Sequence, residues 1–192
     1  MSSVWFTSDT HFGHRLMLTE RNFDSIDAHD ESIVDAWNST VRPGDTVWHL
    51  GDVAVMGSNR VGPDNPLGVL LRRLHGEIHL VAGNHDPVHP QRRDSHRRQR
   101  EWLGVFASIQ SAARRRIDRA EVLLSHYPYT GDHTEVDRDT QWRLRDEGRW
   151  LLHGHTHSRQ RVHGRQIHVG VDAWGRPVHA DEIAEIIKES RC

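Results

Sequence analysis

Five short apolar runs in this 192-residue chain each stop at a cluster of carboxylate, amide or imidazole side chains, and that repetition limits the fold more than any other feature. The third run shows it most fully. Ile78, Leu80 and Val81 read as a buried strand that stops at Gly83, after which come Asn84, His85 and Asp86. Asn84 offers an amide oxygen, His85 a titratable ring, and Asp86 a carboxylate able to hold that ring's other nitrogen. Ligands gather beyond the carboxyl ends of strands in α/β sheets, so the run points to part of a metal site. An ordinary polar turn is the alternative for this run taken alone.

The other runs carry similar cargo. Val4 to Ser8 leads to Asp9-x-His11, Thr46 to Leu50 to Gly51-Asp52, Ala120 to Ser125 to His126, and Trp150 to Leu152 to His155-x-His157. The clusters are separated by about thirty to forty residues, the length of strand–helix–strand units. In an extended segment, residues i and i+2 face the same way, which pairs Asp9 with His11 and His155 with His157. Glycine precedes Asp52, Asn84 and His155, where it permits a tight backbone turn. His85 aside, two carboxylates, one amide oxygen and four imidazoles converge. Those are too many ligands for one tetrahedral ion, and they suit two ions sharing a carboxylate, the usual device for phosphoester cleavage. Singly, His126 before Tyr127-Pro128 reads as a loop histidine, and His11 or Asp52 as a cap or turn residue; the ordered set of five does not.

Between these runs the chain is expected to alternate helix and strand within one domain, 1–192. Ile33, Val34, Trp37 and Val41 fall at helical spacing over about 27 to 41, with Asp27 as the N-cap. Leu67, Leu70, Leu71 and Leu74 form a second stripe, with Pro66 in its first turn and Gly76 at C′. An arginine-rich helix over about 90 to 103 ends on Trp102 and Leu103. Short strands are then expected at 105–109 and 112–117, a long polar loop at 127–148, a hairpin about Gly164-Arg165, and a last helix over about 180 to 190 burying Ile183, Ile186 and Ile187.

Composition narrows the function classes. The formal charge of -2 carries no overall polyanion signal. No run of eighteen apolar residues suggests a membrane span, and the first residues do not read as a signal peptide. The single cysteine, Cys192, excludes an internal disulfide framework and fits a reducing, cytoplasmic setting. Seventeen histidines are many for core packing alone, and imidazole is the commonest metal ligand. Of the 25 basic residues only Lys188 is lysine, a bias that a GC-rich genome accounts for.

The ordered blocks Asp9-x-His11, Gly51-Asp52, Gly83-Asn84-His85-Asp86, His126 and Gly154-His155-x-His157 resemble those of the calcineurin-like metallophosphoesterase superfamily, specifically a small bacterial and phage branch. The resemblance implies an α/β (α+β) fold, a four-layer αββα sandwich of two mixed β-sheets flanked by helices. It implies a first ion held by Asp9, His11, Asp52 and His157, and a second held by Asp52, Asn84, His126 and His155. It makes His85 the general acid, oriented by Asp86, while hydroxide generated by the ions attacks phosphorus. The cofactors implied are two divalent transition-metal ions, manganese first, with Fe, Zn, Ni or Co also compatible with mixed N/O ligands.

Substrate follows less directly. The segment Gly51 to Gly57 lacks the arginine of phosphoprotein phosphatases, and 192 residues leave no room for the capping domains of large repair nucleases. The segments Ser8 to His14 and His168 to Gly175 look like the small branch, whose members suggest a phosphodiesterase acting on nucleotides, 2′,3′-cyclic ones included. Asn84, His14, Tyr127 and Trp174 are the substrate-contact candidates. The alternatives are a broad phosphomonoesterase and a nucleic-acid-end processing enzyme. The latter would use the nine arginines between Arg92 and Arg119, which stand against Asp94, Glu101 and Asp118. Their expected place is a solvated surface, so a small phosphoester or nucleotide is preferred over nucleic acid as partner, with no membrane partner. A scaffold that has lost its ligands is disfavoured because every ligand position is filled.

Overall fold

The computed structural model describes residues 2–57 and 59–190; Cys192 lies outside them. Among these residues ten strands form two five-stranded mixed sheets. The first contains β1 (Val4–Thr7), β2 (Thr46–His49), β3 (Glu77–Val81), β4 (Ser108–Gln110) and β10 (Val178–His179), in the order β10-β1-β2-β3-β4. Strands β1 to β4 run parallel, and β10 is antiparallel to β1. The second contains β5 (Ala113–Ile117), β6 (Ala120–Leu124), β7 (Trp150–His153), β8 (Val162–His163) and β9 (Gln166–His168), in the order β5-β6-β7-β9-β8, with β6, β7 and β9 parallel. The sheets share a core in which Phe6, Leu50 and Val81 of the first meet Val122, Leu124, Leu152 and Ile167 of the second.

Helices flank this pair. Helices α2 (Ile26–Thr40), α3 (Pro66–Leu71) and α4 (Ser95–Trp102) bury Val34, Trp37, Leu67, Leu71 and Trp102 with Val47, Ile78 and Leu80 of the first sheet. Helix α6 (Ala180–Glu189) adds Ile183 and Ile187 to the core between the sheets, with Ile186 partly buried against it. Two short helices, α1 (Leu16–Arg21) and α5 (Val171–Trp174), were not expected. Each is too short to display an apolar repeat. Among the described residues no helix is long and apolar enough to cross a membrane.

Several local expectations change. The N-cap of α2 is Ser25, whose hydroxyl accepts from the Ala28 amide at 3.1 Å; Asp27 lies in the first turn, where it complements the helix dipole. Helix α3 stops at Leu71, so Gly76 is not its C′ residue. Gly76 instead takes φ +94° in the turn entering β3, where a β-carbon would press on Val41 and Val47. Trp102 is fully buried, whereas Leu103 is exposed.

The arrangement puts the carboxyl ends of β1, β2, β3, β6 and β7 at one end of the sandwich. Pairing continues beyond the strands: the amides of Asp9, His11 and Phe12 donate to the carbonyls of Gly51, Asp52 and Val53 at 2.9–3.1 Å. Ser8 bridges in parallel to Gly170, which joins the two sheets at this end. Glycine is needed here mainly for close approach. Gly51 does turn at φ +89°, but Gly83 and Gly154 are placed so that a β-carbon would run into Asp52 and Asp9 respectively.

Candidate metal centre

Asp9, His11, Asp52, His126 and His155, all buried, meet the half-buried Asn84 and His157 in one cluster. Asp52 is central: its Oδ2 lies 3.4 Å from His126 Nε2 and 3.7 Å from His11 Nε2, and its Oδ1 accepts the His85 amide at 2.8 Å. To one side, Asp9, His11 and His157 bring their ligand atoms within 4.8 Å of one another. To the other, Asn84 Oδ1 lies 3.0 Å from both His126 Nε2 and His155 Nδ1.

Backbone geometry achieves this convergence in a way the sequence does not advertise. Asp9, His11, Asp52, His155 and His157 all adopt positive φ, between +48° and +70°. The residues are therefore not extended, and the Asp9/His11 and His155/His157 pairs converge through left-handed turns rather than strand alternation. Five non-glycine residues in this region cost conformational energy that the surrounding hydrogen bonds must offset.

The partners of the outer ring nitrogens fix which nitrogen faces inward. His126 Nδ1 is 2.8 Å from the Leu50 carbonyl, so it carries the hydrogen and Nε2 points its lone pair at Asn84 and Asp52. His155 Nε2 is 3.3 Å from Asp132 Oδ2, which leaves Nδ1 bare toward Asn84. His157 Nδ1 donates to Asp172 Oδ2 at 2.9 Å. His11 Nε2 is buried without a hydrogen-bond partner. Lone pairs thus face lone pairs, an arrangement that repels unless a cation lies between them. The donor set of carboxylates, amide oxygen and imidazoles suits divalent transition metals.

Charge is distributed unevenly. Burial, then the Asp9 charge, hold the Asp52 carboxyl well above its usual range. Burial would raise Asp9 too, but His168, whose Nε2 lies 3.8 Å from Oδ2, and the other nearby imidazoles outweigh it and hold Asp9 well below. Burial pushes His155 down to about 3 and His11 well below its ordinary value. His157 goes the other way: burial would lower it, but its bond to Asp172 and the charges of Asp9 and Asp172 together outweigh that.

Asp86 does not orient His85. Its carboxylate accepts three backbone amides instead: Oδ2 from Asp52 and Gly83 at 3.0 and 2.8 Å, and Oδ1 from Val53 at 3.0 Å. It ties the β2 and β3 loops together from behind. His85 stands on the open side, with Nε2 4.0 Å from Asp52 Oδ2 and its ring edge-on to His11. Burial, then His14 and His126, press His85 down to about 4.

The substrate-contact candidates divide. His14 lies beside His11, Nδ1 to Nδ1 at 3.2 Å, and lines a cleft of about 860 Å³ with Asn84 and His85. Tyr127 is buried, its ring against His126 and His155, so it packs the cluster rather than facing a ligand. Trp174 has the Arg161 guanidinium over its face at 3.9 Å and donates to the His168 carbonyl, so that face is not available to a base. Arg114, Arg115 and Arg116 are all exposed although they alternate along β5, an edge strand; Arg114 pairs with Glu121 and Arg115 lies over Trp48. Sequence reading missed Arg21, Asp132 and His133. His168 and Asp172 lay in a quoted motif without a role.

A domain of the calcineurin-like phosphoesterase superfamily matches residues 3–181. The chain belongs to that superfamily, a class of metal-dependent hydrolases of phosphoesters. It is similar over nearly its whole length to the Gene 66 proteins of two mycobacteriophages. With that of phage L5 it shares 47% identity over 199 residues, covering 97% of this chain and 95% of the relative. With that of phage D29 the identity is 46% over 198 residues, covering 98% of each. The crystal structure of a protein of unknown function from Aquifex aeolicus has the same fold, with TM-score 0.71 and 25% identity over 97% of this chain and 100% of that one.

Proposed function

We propose that this chain is a binuclear phosphodiesterase that hydrolyses nucleotide-type phosphodiesters, 2′,3′-cyclic nucleotides among them. Asp9, His11, Asp52 and His157 would hold one ion, and Asp52, Asn84, His126 and His155 the other, with manganese the first expectation. The observation that carries the reading is the meeting of three acceptors at one point: Asn84 Oδ1 with the bare nitrogens of His126 and His155, each 3.0 Å away. When bound, such a pair of ions supplies positive charge opposite the phosphoryl oxygens and lowers the pKa of the attacking water.

The chain's own residues do the rest. With the ions bound, Asp52 and Asp9 would bring negative charge into a buried cluster of imidazoles. His85 and His14 line the open side of the cleft, where an incoming phosphate would lie. His85 is the proton donor to the leaving oxygen in this reading, and the phosphoryl anion supplies the stabilising charge that Asp86 does not. The cleft's apolar wall of Leu16, Met17, Phe23 and Ile33 supports a diester. It provides room beside the site for a second esterified group, which a monoester lacks. The cleft is also within the usual size of small-molecule sites.

The test is a turnover panel with Mn²⁺ supplied and an EDTA-treated control. An aromatic phosphodiester should turn over faster than its monoester, and 2′,3′-cyclic nucleotides faster than 3′,5′-cyclic ones. Faster turnover of the monoester would overturn the diesterase assignment, and EDTA-insensitive turnover would overturn the metal dependence.

A further inference from the structure

Arg21 and Asp172 belong to no ligand set, yet they connect to both segments of the first-ion half. Arg21, the last residue of α1, spends all five guanidinium hydrogens. Nε donates to Asp172 Oδ1 at 2.8 Å and Nη2 to Asp172 Oδ2 at 3.0 Å. Nη2 also donates to the Asp9 carbonyl at 2.7 Å, and Nη1 to the Thr10 carbonyl at 3.2 Å and to His29 Nε2 at 3.0 Å. The pair is nearly buried, its side chains 10% and 12% exposed. Asp172 Oδ2 then receives His157 Nδ1 at 2.9 Å.

Following the hydrogens shows how determined the arrangement is. Arginine only donates, so His29 accepts through Nε2 and carries its hydrogen on Nδ1, which it gives to Asp30 Oδ1 at 2.8 Å. Asp30 in turn accepts the Gly13 amide on both oxygens at 3.1 Å. The strained backbone from Asp9 to His11, at φ +57° and +48°, is thus held from its carbonyls by Arg21 and from the next turn by Asp30. The carboxylate of Asp172 likewise leaves His157 no choice of tautomer, because only an Nδ1–H can meet it.

We infer that Arg21 and Asp172 are positioning residues for the first ion. Asp172 holds His157 with Nε2 bare toward Asp9 and His11, and Arg21 locks Asp172 to the backbone that carries those two residues. The inference rests on the two-ion reading. Carboxylate partners of metal-bound histidines fix ring orientation and ligand basicity, and their loss weakens metal binding. Asp172→Asn is the direct probe. Whichever way the amide is turned, its NH₂ faces a hydrogen-bond donor of Arg21 or His157.

The experiment titrates Mn²⁺ into metal-free wild type and Asp172→Asn by calorimetry. It also reads the His157 tautomer in both metal-free chains from the ¹⁵N shifts of the ring. Wild type should bind two ions with His157 as the Nδ1–H form. The variant should weaken one site by about 10–100-fold, leave the other unchanged and, where the amide turns its NH₂ to His157, lose the single tautomer. Two unchanged sites with an unchanged tautomer overturn the inference, and so does equal weakening of both sites, which is general loosening. If wild type binds no Mn²⁺ the two-ion reading fails, while the tautomer measurement still decides whether Asp172 controls His157. Should Asp172→Asn not fold, Arg21→Lys keeps the charge and removes the fork, and the same selective loss is expected of it.

Discussion

Replacing Asp52 with asparagine is expected to leave the chain folded and to lower kcat/KM by at least about a thousandfold, because transition-state charge stabilisation of several kcal/mol is lost and each ~1.4 kcal/mol is tenfold in rate. Asp52 is the one carboxylate between the two halves of the cluster, 3.4 Å from His126 and 3.7 Å from His11. Asparagine keeps its shape and the Oδ1 acceptor for the His85 amide, so the β2 and β3 loops stay joined. What disappears is the charge that both ions would share. Elemental analysis after dialysis against Mn²⁺ should therefore show fewer than two ions per chain. Wild-type occupancy and rate in this variant would remove Asp52 from the centre of the account.

His85→Ala should behave oppositely with respect to metal. The ring lies on the rim of the cluster, is 39% exposed, and makes its closest carboxylate approach at 4.0 Å, so both ions are expected to remain. With an alkoxide leaving group kcat should fall by roughly 10²–10⁴, the usual contribution of a placed general acid. With a nitrophenolate, which leaves without protonation, the fall should be much smaller. Equal losses for the two leaving groups would show that His85 binds substrate rather than donating a proton.

How much of this was legible in the sequence depends on where each signal lives. The polar clusters that converge were, because a strand end that changes abruptly from apolar residues to Asp, Asn and His is a local pattern. The same runs located the strands that carry the clusters, but not the order in which the strands pair. What failed was inference from adjacency. Asp86 follows His85 in the chain and seemed its natural partner, but the turn after β3 sends that carboxylate back to three amides. Asp9 and His11 do converge, though through left-handed backbone rather than alternation. The outer partners of the histidines were out of reach for a different reason. Arg21 and Asp172 are 151 positions apart, and α1 is too short to leave a periodic trace. Asp132 sits in a loop whose polar composition hides which one of its carboxylates turns inward.

The phage relatives match 97% and 98% of the chain, so the match spans nearly all of both sheets and the cluster between their ends. That makes the location of the ions the central matter. Crystals grown with Mn²⁺ and measured at the manganese absorption edge test it directly. The account predicts two anomalous peaks about 3.5–4 Å apart, the usual separation in two-metal sites, with Asp52 between them, His11 and His157 on one and His126 and His155 on the other. A single peak, or peaks that do not touch Asp52, would contradict it.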